Sequence, residues 1–204
     1  MKHLLLTAIA AVLLVGCQTI SHRDFLVVKS AIHKAAKAGD IEVVKALLDE
    51  GIDVNSKYFL PFEKPATHNL GTPLHFAVEG GHIKVVKLLI EKGADVDAIN
   101  IVKLTPLLTA VDMNQFEIVK LLINKGANVN TQTEAGTFPL RNAAIYGNEK
   151  IAQLLIAHGA DLNVMERFGS TPLDEAIKYK QAAMVNLLRK HGALTSEQLK
   201  TSEK

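Results

Sequence analysis

The chain has 204 residues, 48% of them apolar and 22% charged, with a formal net charge of +2, one cysteine and no tryptophan. A balance this near neutral excludes nucleic-acid or acidic-lipid binding driven by bulk charge, and a single cysteine excludes a disulfide within the chain.

Met1, Lys2 and His3 precede an apolar run from Leu4 to Val15, and Gly16 and Cys17 follow it. A bilayer span needs about 20 residues, so this run is too short to cross and has the layout of a secretory signal. Leu14-Val15-Gly16-Cys17 resembles the lipobox of bacterial lipoproteins. That resemblance implies a signal peptide over 1–16 and a mature protein beginning at Cys17, which would carry a thioether-linked diacylglycerol and an amide-linked acyl chain such as palmitate. Residues 17–29 would be the lipidated tether. At about 0.8 kcal/mol per buried CH₂, several chains hold a protein at a membrane permanently where one holds it reversibly. Gln18, in place of the Asp that retains lipoproteins in the inner membrane, implies an outer-membrane anchor facing the periplasm. The alternative is an ordinary signal peptide, or an apolar terminus, with a buried cysteine.

Beyond the tether, Pro73, Pro106, Pro139 and Pro172 fall 33 residues apart, and Gly93, Gly126, Gly159 and Gly192 keep the same period. A period of this length marks stacked units, which favours a binding surface over a catalytic pocket. Thr72, Thr105 and Thr171 stand where a hydroxyl caps a helix, with Pro at its first position, where the missing N–H costs nothing. The glycines, with Gly51, follow a second helix where a left-handed residue turns the chain out. Second helices such as Ile83–Glu91 carry Ile, Val and Leu on most faces and need cover on two sides. The units run at about 30–62, 71–103, 104–136, 137–169 and 170–194, with a polar tail over 195–204.

The second unit contains Thr72-Pro73-Leu74-His75-Phe76-Ala77, Gly80-Gly81-His82 and Gly93-Ala94-Asp95-Val96-Asp97, and resembles the ankyrin repeat. The resemblance implies an all-α solenoid of about five helix-turn-helix repeats over 30–194. In the fourth unit Phe138 and Arg141 replace the usual Thr and His, so its local hydrogen bonding is expected to differ and the unit to be the softest. Gly51 and Gly93 are 42 residues apart, which places nine extra residues in an insertion near 56–70 that holds Tyr58, Phe59 and Phe62. Two readings of these aromatics stand side by side: contact with a partner, or cover for the apolar surface of the first repeat.

No zinc-binding His-Glu-x-x-His, phosphate-cradling glycine loop or Gly-x-Ser-x-Gly element occurs. The histidines and the carboxylates of Asp53, Asp95, Asp97 and Asp161 follow the repeat, which assigns them to turns. No enzyme activity, cofactor, metal, small-molecule substrate or nucleic acid is therefore expected.

Ankyrin arrays bind partners on a concave face made of loop tips and the exposed side of each first helix. Carried over position by position, the loops supply Ile99, Ile101 and Val102, then Gln132 and Glu134, then Met165, Arg167 and Phe168. The helices supply Lys37, Glu79, Asp112, Met113, Ile145, Tyr146, Lys178 and Tyr179. Large side chains of these types serve as protein–protein anchors; the bland alternative is that they tuck between neighbouring loops. Ankyrin-repeat lipoproteins of this kind resemble immunity proteins that neutralise secreted toxins, phospholipases among them. A non-inhibitory scaffold or adaptor for a resident periplasmic enzyme is the competing expectation.

Overall fold

The computed structural model describes residues 22–58 and 71–202, with side chains from Ser30 onward; the signal sequence, Cys17, Phe59 and Phe62 lie outside them. The described residues form helices and no strand, in agreement with the all-α repeat architecture read from the sequence. The chain divides into two compact units, Met1–Asp95 and Val96–Lys204.

In the first unit α1 (His22–Ala38) and α2 (Ile41–Asp49) form one hairpin, and α3 (Pro73–Glu79) and α4 (Ile83–Glu91) the next. α1 packs on α3 and α2 on α4. In the second unit the hairpins are α5 (Pro106–Asp112) with α6 (Phe116–Asn124), α7 (Pro139–Tyr146) with α8 (Glu149–Ala157), and α9 (Pro172–Lys178) with α10 (Ala182–Lys190). Here α7 lies between α5 and α9, and α8 between α6 and α10. Within each unit the core repeats with the sequence. Leu74 and Ala77 in the first unit, and Leu107 and Ala110, Leu140 and Ala143, and Leu173 and Ala176 in the second, are 0–1% exposed. The small Ala on each first helix admits the neighbouring helix, and the Leu fills the space between them.

The segment read as a tether, partly helical against the first repeat, is helical from His22 and continuous with the first helix, because nothing between there and Gly39 (φ +75) breaks it. The tail, read only as polar, forms α11 (Ser196–Ser202). Thr195 starts it: its N–H donates to Gln198 Oε1 at 2.9 Å, and the Gln198 N–H donates back to Thr195 Oγ1 at 3.3 Å.

The helix starts follow the expected chemistry. Thr105 Oγ1 accepts from the Leu108 N–H at 3.2 Å, and the Thr72 N–H donates to His75 Nδ1 at 3.2 Å. Phe138 stands at the equivalent position with no side-chain cap, and its ring is buried instead. At Thr171 the carboxylate of Asp174 accepts from the Thr171 N–H at 3.0 Å and from the Ser196 N–H at 2.9 Å. It therefore ties the last repeat to α11. Desolvation works to raise this carboxyl, but the hydrogen bonds from Thr171 and Ser196 outweigh it and hold Asp174 below its ordinary value.

At Gly126 the backbone is left-handed (φ +92) and nothing lies within 4 Å of where a Cβ would stand. Conformation alone demands glycine there. Elsewhere a left-handed position is held by a side-chain residue: Lys103 (φ 63), Asn114 (φ 53) and Lys180 (φ 57). Lys103 stands where the sister loops have Gly136 and Gly169, and Lys180 where the sister hairpin has Gly147.

The loops are joined at their bases by a ladder of short Asn and Asp side chains. Asn130 Oδ1 accepts from the Asp161 N–H at 2.9 Å while its Nδ2 donates to the Gly159 carbonyl at 2.9 Å. Asn163 Oδ1 accepts from the Leu194 N–H at 2.8 Å, and Asp97 Oδ1 from the Asn128 N–H at 3.0 Å. Asn55 makes the same pair of bonds, to the Asp95 N–H at 2.9 Å and the Gly93 carbonyl at 3.2 Å. Its acceptor bond spans 40 residues where the equivalent bond of Asn130 spans 31, so the insertion leaves the ladder in register. The Tyr58 N–H donates to the Gly71 carbonyl at 3.0 Å and closes the neck of that insertion.

Four outcomes follow, each read by urea denaturation. Gly126→Ala lowers stability by about 1–2 kcal/mol through the left-handed backbone, while Lys180→Gly raises it by up to about 1 kcal/mol. Asn130→Asp loses the donor to Gly159 and costs about 1 kcal/mol. Because the folded-state pKa of Asp174 is depressed, its stabilisation is present at neutral pH and is lost as pH falls below about 4. Asp174→Asn is therefore less stable than the parent at pH 7, and the gap closes in acid.

Candidate protein-binding face

Each loop of the second unit ends in a tight hairpin built the same way. In the first, the Asn100 N–H donates to the Leu104 carbonyl at 3.0 Å and the Lys103 N–H to the Asn100 carbonyl at 3.0 Å. The buried Asn100 side chain straps the turn, its Oδ1 accepting from the N–H groups of Val102 (3.0 Å) and Leu104 (2.9 Å). Thr133 and Glu166 do the same one and two periods later, with Thr133 Oγ1 accepting from the Thr137 N–H at 3.0 Å and Glu166 Oε1 from the Ser170 N–H at 3.3 Å. The buried polar residue at each base is satisfied by its own turn, which fixes the corner and turns its side chains outward. Ile101 and Val102 occupy the first corner, Glu134 and Ala135 the second, and Arg167 and Phe168 the third. All six are exposed, Phe168 at 87%. Ile99 and Met165, before the corners, are exposed as well.

A second row lies at the ends of the first helices. Met113, Tyr146 and Tyr179 follow one another by the repeat period and are each about half exposed, at 47%, 56% and 48%. Ile145 is intermediate. Asp112 is exposed as a residue, but its carboxyl faces Asn142, whose Nδ2 donates to Oδ1. Burial raises the Asp112 carboxyl above its ordinary value, and the Asn142 hydrogen bond offsets part of the rise. Lys178 sits 5.4 Å from the centre of the Tyr179 ring and 3.8 Å from Glu175 Oε2. Glu175 is held from the other side by Arg141, whose Nη2 donates to Oε1 at 3.1 Å, and its side chain is only 2% exposed. The altered fourth-unit motif thus exchanges a local cap for a bond to the next repeat.

The structure corrects one expected contact. Tyr58 is 6% exposed, with its ring 5.1 Å from His33 and 5.2 Å from Phe76, so it belongs to the core of the first unit and is not open to a partner. Of the insertion aromatics this is the one among the described residues, and it covers the first repeat. Lys37 and Glu79 pair with each other at 2.6 Å. Sequence reasoning missed Ile177, which is 44% exposed on α9, and the left-handed lysines Lys103 and Lys180. The lysines could have been found by aligning the units, because each interrupts a column of glycines.

No group of His, Cys, Asp and Glu among the described residues could hold a metal ion. Three of the described histidines serve the backbone: His33 Nε2 lies 2.8 Å from the Ser56 carbonyl, His82 Nε2 3.0 Å from the Lys37 carbonyl and His158 Nδ1 2.9 Å from the Leu154 carbonyl. Nor is any helix among the described residues long and apolar enough to cross a membrane.

Comparison with protein-family models matches residues 29–58 to the ankyrin repeat, and residues 57–133 and 125–198 to a model of ankyrin repeats in three copies. No curated protein matches the chain. Repeats of this kind are generally protein–protein interaction modules, which agrees with two rows of exposed anchor-type side chains. With the family models covering most of its length and the repeat period written into both its caps and its core, the chain belongs to the ankyrin-repeat family.

Proposed function

We propose that this chain is a binding protein of the bacterial envelope, anchored through lipid on Cys17 at the outer membrane and facing the periplasm, where it grips and occludes a secreted toxin of the phospholipase class. The observation that carries the binding role is the row Met113, Tyr146 and Tyr179, held open at the ends of packed helices. Aromatic and Met side chains on a rigid backbone give large contact area for little lost entropy. Nine of the ten exposed large apolar residues among the described residues lie in the second unit, which supports its role in meeting the partner. The lipobox-like Leu14-Val15-Gly16-Cys17 supports the anchor, and an inhibitor tethered at a membrane stands where a lipase attacks.

Affinity purification with the full chain, compared with Tyr146→Ala/Tyr179→Ala, tests the face. Each Tyr anchor contributes about 1–2 kcal/mol, so the double variant should retain its partner at least about tenfold more weakly. Equal retention by the two forms refutes the assigned face, and recovery of a resident enzyme in place of a toxin favours the scaffold role. In the same cells Cys17→Ser should abolish labelling by radioactive palmitate; labelling that persists removes the anchor.

A further inference from the structure

The loop corners of the second unit carry a combination that protein recognition does not require. Val102 is 62% and Phe168 87% exposed, and each stands beside a cation on its own corner: Lys103 next to Val102, and Arg167 next to Phe168. Lys103 is kept in a left-handed conformation that glycine occupies in the two sister corners. Glu134, on the middle corner, pairs with Lys103 Nζ at 3.9 Å, and the exposure of both side chains to water keeps that pair weak. Part of the backbone of these corners is already bonded within the turns. The N–H groups of Val102, Lys103 and Leu104 are bonded within the first turn, and those of Gly169 and Ser170 within the third.

We propose that the apolar corners Ile101–Val102 and Phe168 dip into a phospholipid surface, with Lys103 and Arg167 meeting its anionic head groups. A segment entering the edge of a bilayer must present apolar side chains, leave few N–H groups without partners, and keep its charges level with the head groups. The corners present apolar side chains with adjacent cations, and five of their N–H groups are bonded within the turns. The corner between them carries Glu134 and Ala135 in place of a large apolar pair. The charge complementarity is local and needs no net basicity of the chain. The contact is independent of lipid on Cys17, and would orient the second unit with its row of helix ends free for a protein.

The absence of tryptophan supplies the probe. Full-chain Phe168→Trp, Val102→Trp and Lys150→Trp proteins are mixed with vesicles of phosphatidylethanolamine and phosphatidylglycerol, separated by flotation, and read by emission and by quenching with lipids brominated in the acyl chain. Lys150 is exposed at the opposite end of the outer helix from the loop. The first two proteins should show blue-shifted, quenched emission, weaker on phosphatidylcholine alone, and the third should show neither. Emission of the floated Phe168→Trp protein that matches the protein in buffer overturns the proposal, as does failure to float. Equal signals on neutral and anionic vesicles overturn it too, because they remove the role given to the cations. A shift that arises only after an envelope protein fraction is added assigns the corners to a protein. The anchor is read separately by palmitate labelling, so the two ideas fail independently.

Discussion

A helical hairpin of this length cannot cover its own apolar surface, and everything else in the structure follows from that constraint. Its second helix is apolar around most of its circumference, and its first helix is lined with Leu and Ala that lie at zero or near-zero exposure only because another hairpin lies against them. Folding is thus a property of neighbours. The invariant Leu and Ala rows set the spacing, the N-cap Thr and first-turn Pro set where each helix begins, and the left-handed glycine sets where the chain leaves. None of these residues is available for recognition, and recognition is left to the ends of helices and the corners of loops.

This division explains why so much of the fold was legible in the sequence. Caps, helix-ending glycines and core rows are local devices repeated at a fixed interval, and an interval can be read without knowing three-dimensional neighbours. What could not be read depended on partners brought together by folding. Tyr58 looks like a contact residue in an insertion, yet its ring meets His33 and Phe76, which come from two different helices. Arg141 looks like a lost cap, yet it reaches a buried Glu175 on the next repeat. The helical tail was missed for another reason: it lies outside the period, and the period guided the reading.

The candidate face was legible as positions and less so as chemistry. The carry-over found Met113, Tyr146, Tyr179 and Phe168, which are exposed, but treated all positions alike. The structure separates them. Asp112 is drawn into a bond with Asn142 and Lys178 into contact with Glu175 and the Tyr179 ring, while the aromatic and Met side chains stand open. The polar members of the row therefore stiffen it, and the apolar members are left to make contact. The buried Glu175 is coupled most closely to Arg141, with the more exposed Lys178 as a second, longer contact.

The ladder at the loop bases has a consequence for how such a chain can change. Asn55 reaches the same two backbone groups across nine additional residues as its counterparts do without them, so the scaffold does not sense how much chain is spliced in above that rung. Segments of new length and composition can be grafted at this point with the registry beneath undisturbed, which gives evolution, or a protein engineer, a socket for novel specificities.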